Sequence, residues 1–115
     1  MIDFACKQFK FMDVVKCALG LSKADFNTLQ YLLTHEEDWQ TTEKLASTLG
    51  FNLSTVQRTV KKLYEKSLVK RMQSNFDGGG YAYTYQIAEK EEIRKVILEI
   101  INQWVEKVSE ELKEW

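Results

Sequence analysis

The chain has 115 residues, 44% hydrophobic, 12% aromatic and 29% charged, which suits one compact soluble domain and argues against disorder. The formal net charge of −1 and pI near 5.9 exclude a uniformly basic nucleic-acid binder, but not an acidic molecule with one basic face. No run of about 18 apolar residues exists to span a membrane. "MIDFACKQFKF" lacks the basic and apolar regions of a secretory signal, so the expected compartment is the cytoplasm.

Residues 3–18 form an expected first helix, with Phe4, Phe11, Met12, Val15 and Cys17 among its apolar members and Gly20 ending it. Cys6 and Cys17 would then lie on one helix face about 16 Å apart, three turns on, too far for a bond within the chain. Buried, inert thiols are the favoured reading, with a disulfide between subunits as the redox alternative. Two cysteines and the single His35, a helix-end residue, make no metal site, and no cofactor is expected.

"SKAD" at 22–25 has the form of a capping box, opening a helix to about Thr34 that buries Phe26, Leu29, Leu32 and Leu33. Thr41 or Thr42 can cap the next helix, whose Leu45, Ala46 and Leu49 share a face and which Gly50 ends. Asn52 can cap a further helix over 53–66, where Val56, Val60 and Leu63 follow i, i+4, i+7 spacing. Two short helices joined by a glycine-started turn make a helix-turn-helix.

"SLVKRMQS" and "YAYTYQI" follow, the second alternating Tyr81, Tyr83, Tyr85 and Ile87 with smaller residues as a strand does. "NFDGGG" between them supplies the positive φ angles of a hairpin tip, and no Lys-Ser/Thr follows to make it a phosphate loop. A hairpin after a helix-turn-helix is a wing. Residues 89–114 contain no breaker and predict a helix about 39 Å long. Its stripe of Ile93, Ile97, Ile100, Ile101, Trp104, Val108, Leu112 and Trp115 needs a partner, most simply a second copy.

The charge is segregated. From Arg58 to Arg71 stand Arg58, Lys61, Lys62, Lys66, Lys70 and Arg71 against the single acid Glu65, whereas acids gather at 35–38 and along 89–114. With Val56, Val60 and Leu63 turned to the core, the opposite face of the 53–66 helix carries Ser54, Thr55, Gln57, Arg58, Lys61 and Lys62. Hydroxyls, an amide and an arginine can read base edges in the major groove, and the lysines suit phosphates. Thr42 marks a helix start whose amides can meet a phosphate. In the wing, Lys70, Arg71 and Tyr81 would follow the backbone or the minor groove.

"TTEKLASTLGFNLSTVQRTVKKLYEKSLVKR", with the glycine-tipped, tyrosine-rich hairpin after it, resembles the winged helix-turn-helix regulators of the MarR and TrmB types, particularly their small archaeal members. The resemblance covers nearly the whole chain and departs at Ser67, where such sequences usually have glycine. It implies an α+β fold: a dimerising N-terminal helix (1–20), a winged helix-turn-helix DNA-binding domain (21–88) and a C-terminal dimerisation helix (89–115). It also implies a homodimeric, sequence-specific transcriptional regulator of double-stranded DNA, without enzymatic activity. Members of this type often take small-molecule effectors, but no residue here names one, and the chain ends too soon for the sugar-binding domain of full-length TrmB proteins. The competing readings are a winged-helix adapter for another protein, which should expose apolar residues on its wing, and a redox-responsive regulator acting through Cys6 and Cys17.

Overall fold

A computed structural model describes every residue from Met1 to Trp115. The chain opens with a hairpin of β1 (Ile2–Phe4) and β2 (Lys7–Phe9), then α1 (Phe11–Leu19) and α2 (Lys23–Thr34). Next come β3 (Gln40–Thr41), α3 (Thr42–Leu49), α4 (Leu53–Glu65), the strands β4 (Val69–Asn75) and β5 (Tyr81–Ile87), and α5 (Lys90–Glu114). Strands β3, β5 and β4 form an antiparallel sheet with β5 in the centre.

Local chemistry sets each helix boundary. Ser22 and Asp25 form the capping box of α2: Ser22 Oγ accepts from the Asp25 amide at 3.2 Å, and the carboxylate accepts from the Ser22 amide at 3.0 Å. Thr41, not Thr42, caps α3, its hydroxyl accepting from the Lys44 amide at 3.1 Å. Gly20 and Gly50 end α1 and α3 in the left-handed conformation that costs glycine little. Asn52 occupies the N-cap position of α4 without a side-chain bond to the helix.

The core gathers one face from each helix: Leu19 from α1, Leu29 and Leu32 from α2, Leu45 from α3, and Val56, Val60 and Leu63 from α4. Val69, Tyr85 and Ile87 close it from the sheet, with Leu68 from the turn before β4. The three apolar positions of α4 are fully buried, as their spacing predicts, so the rest of that helix is turned away from the core. Together α3, α4 and the β4–β5 hairpin make a winged helix-turn-helix.

The N-terminus departs from the expected helix. Residues 2–9 form a hairpin in which Ile2 faces Phe9 and Phe4 faces Lys7, with the Phe4 and Phe9 rings edge to face at 5.6 Å. Alternating Ile2 and Phe4 around polar Asp3 suits a strand, and helix starts only at Phe11. Cys6 therefore sits in the hairpin turn, so the three-turn helical spacing from Cys17 does not exist. Both thiols are exposed rather than buried.

The long helix is as expected in extent, at about 38 Å. It carries the molecule out to 63 Å in one direction against 24 Å in the others. The radius of gyration is 17.3 Å, where a compact chain of this length has about 13 Å. Ile93 is buried and Val96, Ile97, Ile100 and Ile101 are half-buried, but Trp104, Val108, Leu112 and Trp115 are exposed. Leu98 and Val105, outside the stripe read from the sequence, are also exposed, and Phe11 and Met12 of α1 extend the apolar surface. No helix is long and apolar enough to cross a membrane.

Candidate nucleic-acid interface

The outward face of α4 is built by subtraction. Burial of Val56, Thr59, Val60 and Leu63 leaves Ser54, Gln57, Arg58 and Lys61 exposed along one arc. The chain's ion pairs engage Lys62, Lys70, Lys90, Arg94 and Lys95, so Arg58 and Lys61 keep their charges free of internal carboxylates. Thr55 departs from the expected face: it is half-buried on the helix flank beside Val56. Thr42 is half-buried too, its hydroxyl donating to Glu43 at 3.3 Å.

Lys62 also departs from its expected role. Its ammonium lies 2.7 Å from Asp25 Oδ2, turned onto α2 rather than held out for a phosphate. The reason is helical phase: Thr59 and Lys62 lie three residues apart on the flank that faces Asp25. Thr59 donates to Asp25 Oδ1 at 2.9 Å, so one buried carboxylate caps α2 and grips α4 at two points. Burial works to raise the Asp25 pKa, but the bonds from Lys62, Ser22 and Thr59 together hold it below its ordinary value of 3.8. In the sequence Asp25 is recognisable only as a cap, because its contact to α4 crosses 37 residues and leaves no local signature.

The wing places its cations differently. Lys70 stays exposed, with Glu89 3.4 Å away, a contact weak enough in water to exchange for another anion. Arg71 is exposed but stacked between two rings: its guanidinium carbon lies 4.1 Å from the Tyr64 ring centroid and 4.2 Å from that of Tyr83. Tyr64 was not anticipated as part of the site. Burial pushes the Tyr85 hydroxyl above its ordinary range, opposed by the nearby positive charge of Arg71. Tyr81 is exposed at the end of the wing, its ring edge-on to Tyr83 at 5.2 Å. Ser67 takes a φ of 63° between α4 and β4, the turn for which glycine is the easier residue.

The arrangement is an uncapped helix start followed by a polar arc whose one acid, Glu65, stands in the last turn, with a two-stranded wing beside it. It has the size and chemistry to enter a major groove and rest the wing on the adjacent backbone.

Known proteins share this architecture. A structure from Methanosarcina mazei Go1 described as a possible transcriptional regulator is 50% identical, covers 100% of this chain and 96% of its own, and superposes with a TM-score of 0.92. The uncharacterized protein MJ1503 of Methanocaldococcus jannaschii is 29% identical over 104 residues, 90% of this chain and 77% of its own. The MepR–DNA complex of S. aureus, at 18% identity, covers 90% of this chain and 71% of its own with a TM-score of 0.55, a likeness of fold alone. Residues 8–108 match the model of the DnaD N-terminal domain, and by that match the chain belongs to the DnaD N-terminal domain family.

Proposed function

We propose that this chain is a homodimeric transcriptional regulator that binds double-stranded DNA in a sequence-specific way, in the manner of the MarR and TrmB types. The observation that carries the proposal is the α4 arc of Ser54, Gln57, Arg58 and Lys61, exposed, with its one acid, Glu65, confined to the last turn, and backed by a buried core face. Its N-terminal turn would enter the major groove, where Arg58 can pair with guanine and Gln57 with adenine. Lys61 and Lys70 would meet phosphates, and Tyr81 would reach the backbone or minor groove. The likeness to a possible transcriptional regulator at 50% identity supports this reading, as does the shared fold with MepR, which has been solved on DNA. A DNA-binding role puts the protein in the cytoplasm, and the reading assigns it no catalysis.

The homodimer rests on α5. Leu98, Ile101, Val105, Val108, Leu112 and Trp115 repeat at alternating steps of three and four, the seam of a two-helix coil, and all but Ile101 are exposed in the single chain. Two arcs related by a twofold axis require a pseudo-palindromic site with half-sites one or more helical turns apart. Selection of bound duplexes from a random pool tests this. An inverted repeat at such a spacing supports the proposal; an unenriched pool contradicts it.

One observation favours the adapter reading: Met72 and Phe76 are exposed on the wing. Replacing both with glutamate separates the two functions. A regulator would lose DNA affinity through added negative charge, whereas an adapter would lose a protein partner and leave DNA retention unchanged.

A further inference from the structure

The wing is poorly anchored by its core contacts. Of its two strands only Val69, Tyr85 and Ile87 are buried, all at the end near α4, and every residue from Lys70 to Tyr81 is exposed. A two-stranded ribbon of that kind, without a third strand or a packed face, holds no fixed direction in water. Strand β3 pairs only with Thr84 and Tyr85, leaving the outer part of the hairpin unsupported.

On β5, half-buried Tyr83 packs against the core, and one contact ties that ring to α4 and to the exposed β4 strand. Tyr64 belongs to the last turn of α4, Arg71 to β4 and Tyr83 to β5, so the guanidinium stacked between the two rings joins the recognition helix to both wing strands. Arg71 and Tyr83 lie on the same face of the sheet, as does buried Tyr85, which is directly opposite Arg71. A guanidinium is planar and weakly hydrated, and both its faces can lie against aromatic rings; a lysine ammonium at the same place is a point charge that keeps its water. Although Arg71 is exposed, its guanidinium is thus engaged by the two rings, on the side of the ribbon that faces α4.

We propose that Arg71 is a positioning residue, not a DNA contact: the Tyr64–Arg71–Tyr83 stack fixes the angle of the wing relative to the recognition helix. This inference rests on the DNA-binding reading of α4 and deepens it. The separation between the base-reading arc and the backbone-following wing is set by the stack, and the duplex meets a rigid pair of contacts rather than a hinged one. Preorganisation of this kind raises affinity without adding a contact to phosphate.

The test compares the full-length protein with its Arg71→Lys, Arg71→Ala, Tyr64→Leu and Tyr64→Phe variants in two measurements. The first is amide hydrogen exchange across 70–84 in the free protein. The second is binding to duplex DNA as a function of salt. Positioning predicts faster exchange in the first three variants and wild-type exchange in Tyr64→Phe, which keeps the ring. It also predicts that Arg71→Lys weakens DNA binding about as much as Arg71→Ala, roughly tenfold, with the salt slope unchanged. A phosphate contact predicts the opposite: Arg71→Lys binds like wild type, and Arg71→Ala flattens the slope by about one unit. That pattern, or unchanged wing exchange in Arg71→Lys, overturns the inference. If no form of the protein binds DNA, the regulator proposal fails, and the exchange data still decide whether the stack holds the wing.

Discussion

Replacing Asp25 with asparagine isolates the electrostatic part of the contact between α2 and α4. The carboxylate accepts from Ser22 N at 3.0 Å, Lys62 Nζ at 2.7 Å and Thr59 Oγ1 at 2.9 Å. An asparagine can keep its oxygen toward Ser22 and Lys62 and donate its amide to the Thr59 hydroxyl, so the packing survives and only the charge is lost. Charge-assisted bonds contribute about 1.5–3 kcal/mol and neutral ones about 0.5–1.5. Lys62 is 39% exposed and can recover hydration, which discounts its share. The net cost is about 1–2 kcal/mol, or a fall in Tm of roughly 4–8 °C for a chain of this length.

The sign of the pH dependence follows from the direction of the shift. The folded-state pKa of Asp25 lies below its ordinary 3.8, so the stabilisation is fully present above that value and is lost as pH falls through the folded value. Urea unfolding followed by tryptophan fluorescence should therefore show a constant gap between wild type and Asp25→Asn near neutral pH, closing in acid. Lys62→Met should reproduce part of the gap. Equal midpoints at neutral pH, or a gap that persists undiminished in acid, would refute the reasoning.

Three further outcomes are expected. Ser67→Gly should raise stability by up to about 1 kcal/mol, since a φ of 63° strains serine and not glycine; thermal unfolding measures it. Gln40 is 1% exposed, and neither of its side-chain polar atoms has a hydrogen-bond partner, so Gln40→Met should raise Tm by a few degrees, on the order of 1 kcal/mol. Sedimentation of Val105→Glu with Leu112→Glu should find a monomer that keeps the helical content of wild type, because both side chains are exposed in the single chain and outside its core.

The helix-turn-helix and wing were legible because their signals are local. Gly20 and Gly50 end helices in left-handed turns, Ser22 and Asp25 meet at three residues' separation, and Val56, Val60 and Leu63 mark the core side of α4 by spacing alone. The N-terminal hairpin was not legible, since its three-residue strands are too short for alternation to outweigh a breaker-free run that also suits a helix. Helical phase gave the outward arc of α4 only to within about one position at its edge, which is why Thr55 and Lys62, two turns apart on the same flank, were assigned to it. Whether a cation faces solvent or another side chain depends on contacts between distant segments. Lys62 meets Asp25 from α2, and Arg71 meets Tyr64 and Tyr83 from neighbouring elements. Leu98 and Val105 escaped because the stripe was drawn through Ile93, Ile97 and Trp104, and both residues lie to one side of that line.

The measurement that bears most directly on the function is fluorescence anisotropy of a labelled duplex from the region upstream of the protein's own coding sequence. Wild type and Arg58→Ala would be titrated at several salt concentrations, with and without competitor DNA. The account predicts salt-sensitive binding that survives competitor in wild type. In Arg58→Ala it predicts a loss of discrimination of about 1–3 kcal/mol, with non-specific affinity less affected. Absence of binding at low salt, even to non-specific duplex, would contradict it.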